Sequence, residues 1–274
     1  MSSTTDINTI KNPIETSGIG LMSGEECSLV IKPSSQKGIK FFCNGNNTPL
    51  FADVNTVVST QNCVTIANQA GQVSLIEHFM ATCGYFGIDS LDIDIKGIEL
   101  PIFDGSAKTW IELFKKAGID ANPSSIDIKE PIFYQKNNVT ISILPSEKLD
   151  ITYLLDFSDH PDLKQRWINL NADNIKEAIE ARTFGYVKDL EKIQALGLAK
   201  GVNIDNTLGL TDDGYTTPIR SEYEPIKHKV LDLMGDFKLA NINLPKFNAQ
   251  IIAKQAGHAS HYEMAKILKN ILKG

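Results

Sequence analysis

The segment Pro225–Ala240, PIKHKVLDLMGDFKLA, limits what this chain can become more than any other. Ile226, Val230, Leu233 and Phe237 recur at helical spacing and make one apolar face. Pro225 suits the first helical position, where its missing N–H costs nothing. At about 100° per residue, His228, Asp232 and Asp236 fall on the other side. A helix with one buried face normally turns Lys and Glu to solvent on its second face. Here the second face offers imidazole and carboxylate, so it is expected to line a cleft.

Around that helix the chain reads as strands followed by helices, twice. Cys27–Lys32 and Gly38–Cys43 are alternating segments bounded by Gly, Ser and Asn turns. Val73–Phe86 reads as a helix closed by Gly87, Leu91–Ile95 as a strand, and Ser106–Ala117 as a helix stopped at Gly118. Asp120–Glu130 carries a proline and two serines without periodicity and reads as a linker. Strands resume at Ile132–Tyr134, Val139–Leu144 and Leu149–Phe157. Helical patterns follow near Asn174–Ala178, Tyr186–Leu196, Pro225–Ala240 and His258–Leu272. The pattern predicts an α+β protein of two units, 1–120 and 131–274.

The bulk properties exclude several classes. A net charge of −6 gives no general pull on nucleic acid or anionic lipid. No apolar run approaches the roughly 20 residues that span a bilayer. Met1–Asn12 is polar, unlike a signal peptide, and reads as the frayed end of a cytoplasmic protein. The four cysteines, Cys27, Cys43, Cys63 and Cys83, form no C-x-x-C pair and read as buried thiols in a reducing compartment.

Chemistry concentrates on the five histidines. His228 and Asp232 are i, i+4 neighbours and can reach one metal ion. Alone, such a pair is more often a surface ion pair. The adjacent Glu77 and His78 on another helix sharpen the signal, since one can bind metal while the other reaches a water on it. Two histidines and one carboxylate leave a zinc ion's fourth position open, the pattern of catalytic sites. Water held there has a pKa of about 7, which makes amide or ester hydrolysis feasible at neutral pH. His258, after Gly257, reads either as a solvated helix start or as a general acid for a leaving amine. His160, before Pro161, reads as structural, and His261 as a helix residue that could line the cleft.

Four blocks in order resemble one enzyme family. Ser74–Ile119 holds Glu77-His78 and the block E-x-P-I-x-D-G-S-A at Glu99–Ala107. Ala181–Tyr186 reads ARTFGY, His228–Asp236 reads HKVLDLMGD, and Gly257-His258 closes the set. From Gly18 onward the chain resembles the UDP-3-O-acyl-N-acetylglucosamine deacetylases, zinc amidases of lipid A biosynthesis. The resemblance implies two similar two-layer α/β sandwiches with the active site between them. His78, His228 and Asp232 would bind Zn2+, with Fe2+ an alternative for the same donors. Glu77 would be the general base, Thr183 would stabilise the oxyanion, and His258, held by Asp236, would serve the leaving group. Lys229 would stand beside the site, Phe184 would pack on the sugar, and residues 188–211 would shape a passage for the acyl chain. The Asp104–Ala107 turn reads as scaffold. A monomer is the expected state, and Lys229, Lys254 and Arg182 are the cations available to a diphosphate.

The departures sit mainly on the substrate side. The family's G-x-G-L-H-T-G is Gly18–Gly24 here, with Met22 in place of histidine. Three residues before His258 stands Gln255 instead of Lys or Arg, with Lys254 one position earlier. The family's H-x-L-N reads His258-Ala259-Ser260-His261. Three readings stay open at this point: the family activity, a related zinc amidase with an altered amino-sugar or acyl substrate, and a non-catalytic metal-binding relative. The third is disfavoured because Glu77 binds no metal and would have no reason to persist.

Overall fold

A computed structural model describes residues 7–272. The fold is α+β. Its helices are α1 (Glu77–Phe86), α2 (Lys108–Ala117), α3 (Lys176–Ile179), α4 (Val187–Ala195), α5 (Glu224–Lys238) and α6 (His258–Leu272).

Two larger mixed sheets share one topology. In the first, the strands lie in the order Ile14–Ile19, Glu26–Pro33, Ser90–Lys96, Gly38–Cys43, Leu50–Phe51. In the second, the order is Ile132–Lys136, Val139–Pro145, Phe247–Lys254, Asp150–Leu155, Arg166–Asn171. The central pair of each sheet is parallel and includes the strand that arrives last after a helix. Thus α1, Ser90–Lys96 and α2 in the first half correspond to α5, Phe247–Lys254 and α6 in the second. No repeat in the sequence betrays this duplication, because the side chains on equivalent elements differ while the backbone pairing is the same.

The sheets alternate buried and exposed positions. Leu29 and Ile31 turn inward on one strand, as do Ile93 and Ile95 on its neighbour, and Ile141 and Ile143 in the second sheet. Their inner faces close on the helices, and one connected apolar core runs through both halves. The helices α1 and α5 pack more extensively against each other than any other pair of helices among the described residues. Eight of ten residues of α1 are buried, and of the fifteen in α5 only Lys229 is not. Both faces of each helix are therefore interior, as the two-sided character of α5 required. Each of Ile226, Val230, Leu233 and Phe237, at 0% exposure, contributes roughly 1.5–3 kcal/mol by burial.

The approach of α5 to α1 depends on one glycine. A Cβ on Gly235 would lie 2.0 Å from the backbone oxygen of Glu77. Only a residue without a side chain lets the later part of α5 rest on the first turn of α1.

Two smaller sheets are added to this frame. Val57–Ser59, Thr65–Asn68 and Gly71–Ser74 form one. Thr183–Tyr186, Thr207–Thr211 and Gly214–Tyr215 form the other, with α4 as the crossover between its parallel strands. The helix α4 has no buried residue.

Several expectations need correction. The helix expected over Val73–Phe86 begins at Glu77, because Gly71–Ser74 pairs with Thr65–Asn68 and Leu75 takes a left-handed φ of +59°. The helix expected over Ser106–Ala117 begins at Lys108. Asp104 holds the preceding turn, its Oδ1 accepting from the Ser106 amide at 3.2 Å and hydroxyl at 2.8 Å. The expected linker Asp120–Glu130 is pinned at two points. Ile119–Asp120 pairs with Thr9–Ile10, and Ile126–Asp127 runs parallel to Phe247–Asn248. The expected fraying of Met1–Asn12 fails over its described part: Thr9 and Ile10 are buried, and the Thr9 hydroxyl donates to Ser90 O at 2.6 Å. Residues 1–6 of that expectation lie outside the described residues. No helix among the described residues is long and apolar enough to cross a membrane.

Substituting Gly235→Ala forces α5 away from α1. Overpacking of this kind costs about 1–3 kcal/mol. The unfolding free energy from denaturant titration should fall by that amount, and zinc affinity should fall with it. A variant as stable as the parent would show that the close approach carries no weight.

Candidate active site

The first turn of α1 and the first half of α5 bring three donor atoms together. His228 Nε2 stands 3.4 Å from Asp232 Oδ1, and His78 Nε2 stands 4.0 Å from the same oxygen. Two ligands about 2.0–2.1 Å from a tetrahedral ion sit about 3.4 Å apart, so the spacing suits a bound cation. The two imidazole rings lie edge to face, with centroids 5.1 Å apart. His78, His228 and Asp232 are all buried, and their ligand atoms lie within 4.8 Å of one another.

The protonation pattern points the same way. His228 Nδ1 lies 3.0 Å from Ala181 O, which can only accept, so Nδ1 carries the proton and Nε2 presents a lone pair. Burial, and for His78 also the nearby His228, pushes both imidazoles down, His78 to about 3. Burial would raise Asp232, but the Lys229 ammonium, first among its charged neighbours, holds it well below the usual carboxylate range. Its Oδ1 is buried without a hydrogen-bond partner. Lone pairs from two neutral imidazoles and one carboxylate therefore face each other with no proton between them. A divalent cation resolves that repulsion. Lys229 Nζ donates to Asp232 Oδ2 at 2.8 Å, which leaves Oδ1 for the ion.

Glu77 and His258 flank this centre. Glu77 Oε2 accepts from the Val64 amide at 3.1 Å, while Oε1 faces His258 Nε2 at 3.6 Å. Burial pushes Glu77 up to about 7, with His258 opposing and Asp232 adding to the rise. His258 begins α6, and its Nδ1 donates to Asp236 Oδ2 at 2.8 Å. Burial alone would lower His258, but Asp236, then Asp232 and Glu77, raise it to about 10. Asp236 is itself held down by these imidazoles against the effect of burial.

A cavity of about 230 Å³ opens over these groups, with Thr183, Phe184 and Lys229 on its wall. Thr183 is set by its amide, which donates to Gly105 O at 2.7 Å, so the Asp104–Ala107 turn positions it. The Phe184 ring meets His228 edge-on at 5.8 Å and lies 5.3 Å beneath Lys229 Nζ. A second, mostly apolar cavity of about 490 Å³ shares Leu21, Asn62, Thr183 and Phe184 with the first. Val187, Leu190 and Ile193 of α4 close its far side. Met22 lines this passage and not the cavity over the ligands.

Some residues are placed otherwise than the sequence suggested. Arg182 is 5% exposed and fully engaged, so it is not available to a diphosphate. It donates to both oxygens of Glu224, to Thr217 Oγ1 and to Pro218 O. Lys254 is exposed at the end of its strand and does not line either cavity. Gln255 turns away to bind the Asp156 backbone. His261 does not line the cleft: it is 0% exposed and donates to Asp236 Oδ2 at 2.8 Å. His160 is buried against Gly214 O at 2.8 Å, and all four cysteines are buried free thiols. Sequence reasoning missed Leu21, Asn62 and Leu75 as walls and Val64 as the support of Glu77. The left-handed φ of Asn62 (+64°) and Leu75 (+59°) places them, and an ordinary residue pattern carries no sign of it.

The family model for UDP-3-O-acyl N-acetylglycosamine deacetylase matches residues 7–270. A UDP-3-O-acyl-N-acetylglucosamine deacetylase of Geotalea uraniireducens is 34% identical over 266 residues, covering 93% of this chain and 85% of its own length. The same-named protein of Leptospira biflexa is 35% identical over 277 residues, covering 97% and 90%. That of Campylobacter fetus is 31% identical over 239 residues, covering 84% and 81%.

Two measurements separate the site from its scaffold. Calorimetric titration of chelator-stripped protein with zinc should give one tight site, weakened at least about 100-fold in His228→Ala. Equal affinity in both proteins counts against the ligand set. Arg182→Ala strands Glu224, which is 0% exposed, and should cost about 3–5 kcal/mol in urea unfolding.

Proposed function

The chain belongs to the UDP-3-O-acyl-N-acetylglucosamine deacetylase family, and from that premise we propose that it hydrolyses the acetamide of a UDP-3-O-acylated N-acetylglucosamine. The products are acetate and the free amine, in the cytoplasm, as a step of lipid A biosynthesis. The observation that supports this most is the joining of two features. A cation-ready triad with Glu77 beside it opens into an apolar passage reached past Thr183 and Phe184.

The donor set fits zinc: two neutral imidazoles, one carboxylate and an open side toward the cavity. Zinc bound there would supply Lewis acidity to the amide carbonyl and lower the pKa of water to about 7. Every other part belongs to the chain. Glu77, fixed through Oε2 by the Val64 amide, takes the proton of the attacking water on Oε1. The Thr183 hydroxyl donates to the carbonyl oxygen as negative charge grows on it, a contact worth more in the transition state than before it. His258 holds its Nδ1–H on Asp236 and turns Nε2 to the cavity. From there it protonates the leaving nitrogen, so the C–N bond breaks to give a neutral amine. Lys229 steadies Asp232, and Phe184 provides a flat apolar face for the sugar.

The acyl chain enters the passage walled by α4, where Met22 stands in place of the family's histidine. That departure bears on substrate fit and leaves the reacting groups untouched. Lys254, outside the cavity rim, is left to meet the diphosphate. The same reading divides the chain into units 1–120 and 131–274, each an α+β sandwich, with the site between them.

Release of acetate from the UDP-linked, 3-O-acylated N-acetylglucosamine is the direct assay. The zinc-loaded protein should turn it over, and none released by zinc-loaded protein refutes the reading. Glu77→Gln should retain the metal and lose a factor of about 10² or more in rate. Leu190→Trp, which fills the passage, should raise KM about tenfold for a long-chain substrate and leave a short-chain one nearly unchanged. Equal effects on both would take the acyl chain out of that passage.

A further inference from the structure

Beneath His258 lies a second imidazole that the chemistry above does not use. His261, one turn further along α6, directs Nδ1 at Asp236 Oδ2 from 2.8 Å. His258 Nδ1 meets that same oxygen at the same 2.8 Å. A carboxylate only accepts, so both nitrogens carry protons and both donate. The space between these three groups is filled by hydrogen bonds, which distinguishes it from the proton-free gap between His78, His228 and Asp232. The other oxygen, Asp236 Oδ1, is buried without a partner. The carboxylate is thus held entirely through one oxygen, by two rings that lie edge to face with centroids 6.4 Å apart.

His261 is braced from behind. Its Nε2 stands 2.9 Å from the hydroxyl of Tyr153, which also lies 2.9 Å from Ala256 O. Burial pushes His261 below the ordinary imidazole value, against the pull of Asp236. The phenol's single proton goes to Ala256 O, which can only accept, so it faces His261 Nε2 with an oxygen lone pair. Tyr153 and His261 are both 0% exposed. Tyr153 comes from the strand Asp150–Leu155, Asp236 from α5 and His261 from α6. Three elements are fastened at one point just below the cavity. Filling space would not require any of these polar atoms, and an apolar residue at 261 would pack α6 without the cost of burying a ring nitrogen.

We infer that His261, braced by Tyr153, is a positioning residue for His258: it fixes the Asp236 carboxylate from the core side and so sets the direction in which His258 offers Nε2 to the cavity. Without the second donor, Asp236 can turn toward its unpartnered oxygen and the His258 ring turns with it. The consequence of this arrangement for catalysis rests on the deacetylase reading; its geometry does not.

The experiment uses the whole protein labelled with 15N at histidine, followed by NMR and by steady-state kinetics. The unmodified protein should show two downfield Nδ1–H resonances protected from exchange. His261→Met, which keeps the core filled, should remove one and shift the other. The same variant should lower kcat about tenfold with KM within about twofold and zinc content unchanged, the scale of one lost charge-assisted hydrogen bond. His261→Asn, which returns a donor, should recover part of kcat. Tyr153→Phe should shift or broaden the His261 resonance. One resonance instead of two in the unmodified protein overturns the inference. So does a His261→Met variant with the His258 resonance and kcat unchanged. If that variant does not fold, an unmoved pair of resonances in Tyr153→Phe overturns it equally. Two resonances that respond as expected in a protein releasing no acetate would support the clamp and sink the deacetylase reading instead.

Discussion

The contact of α5 with the first turn of α1 is what the site depends on. Gly235 lies so close to the Glu77 carbonyl that even a methyl group would collide with it. Because α1 begins with Glu77-His78 and α5 carries His228 and Asp232, that contact also sets the gap between donor atoms. A shift of 1 Å between the helices would carry His78 Nε2 out of shared reach of a cation. The two sheets press the helix pair together from outside, so the apolar core acts on the metal geometry through packing.

This core accepts an unusual load of charge. Glu77, Asp232, Asp236 and Glu224 are each at most 3% exposed. Burying a carboxylate is costly unless it is paired and hydrogen-bonded. The chain answers in two ways. Glu224 at the start of α5 is saturated by Arg182 and by the Arg220 amide, a closed arrangement that does nothing but hold structure. Asp232 and Asp236 are left with one buried oxygen each without a partner. Asp232 lines the cavity and Asp236 lies beneath it, while Glu224 belongs to the scaffold.

Much of the architecture was readable from local patterns. The strands Gly38–Cys43 and Val139–Pro145 and the helices α5 and α6 follow from alternation and helical periodicity, which depend on neighbours a few residues away. Elements stabilised from a distance were misread. Val73 and Ser74 have the apolar spacing of a helix, yet they pair with Thr65 and Ile66 in a hairpin. Asp120–Glu130, expected as a linker, also carries short strand pairs, whose partners Thr9–Ile10 and Phe247–Asn248 lie far away in sequence. Thr9 and Ile10 read as a loose end for the same reason.

The sequence by itself determined which groups can do chemistry, since His228, Asp232 and Asp236 share a helix face through covalent geometry alone and Glu77-His78 are neighbours in the chain. It did not determine which of the other polar groups would join them. Arg182 and His261 looked much alike as candidates, a cation and an imidazole in or beside the motif blocks. Packing gave one to Glu224 as structure and the other to Asp236 beneath the site. Such choices turn on which distant element lies 3 Å away, a distance set by the sum of all packing and written in no local pattern.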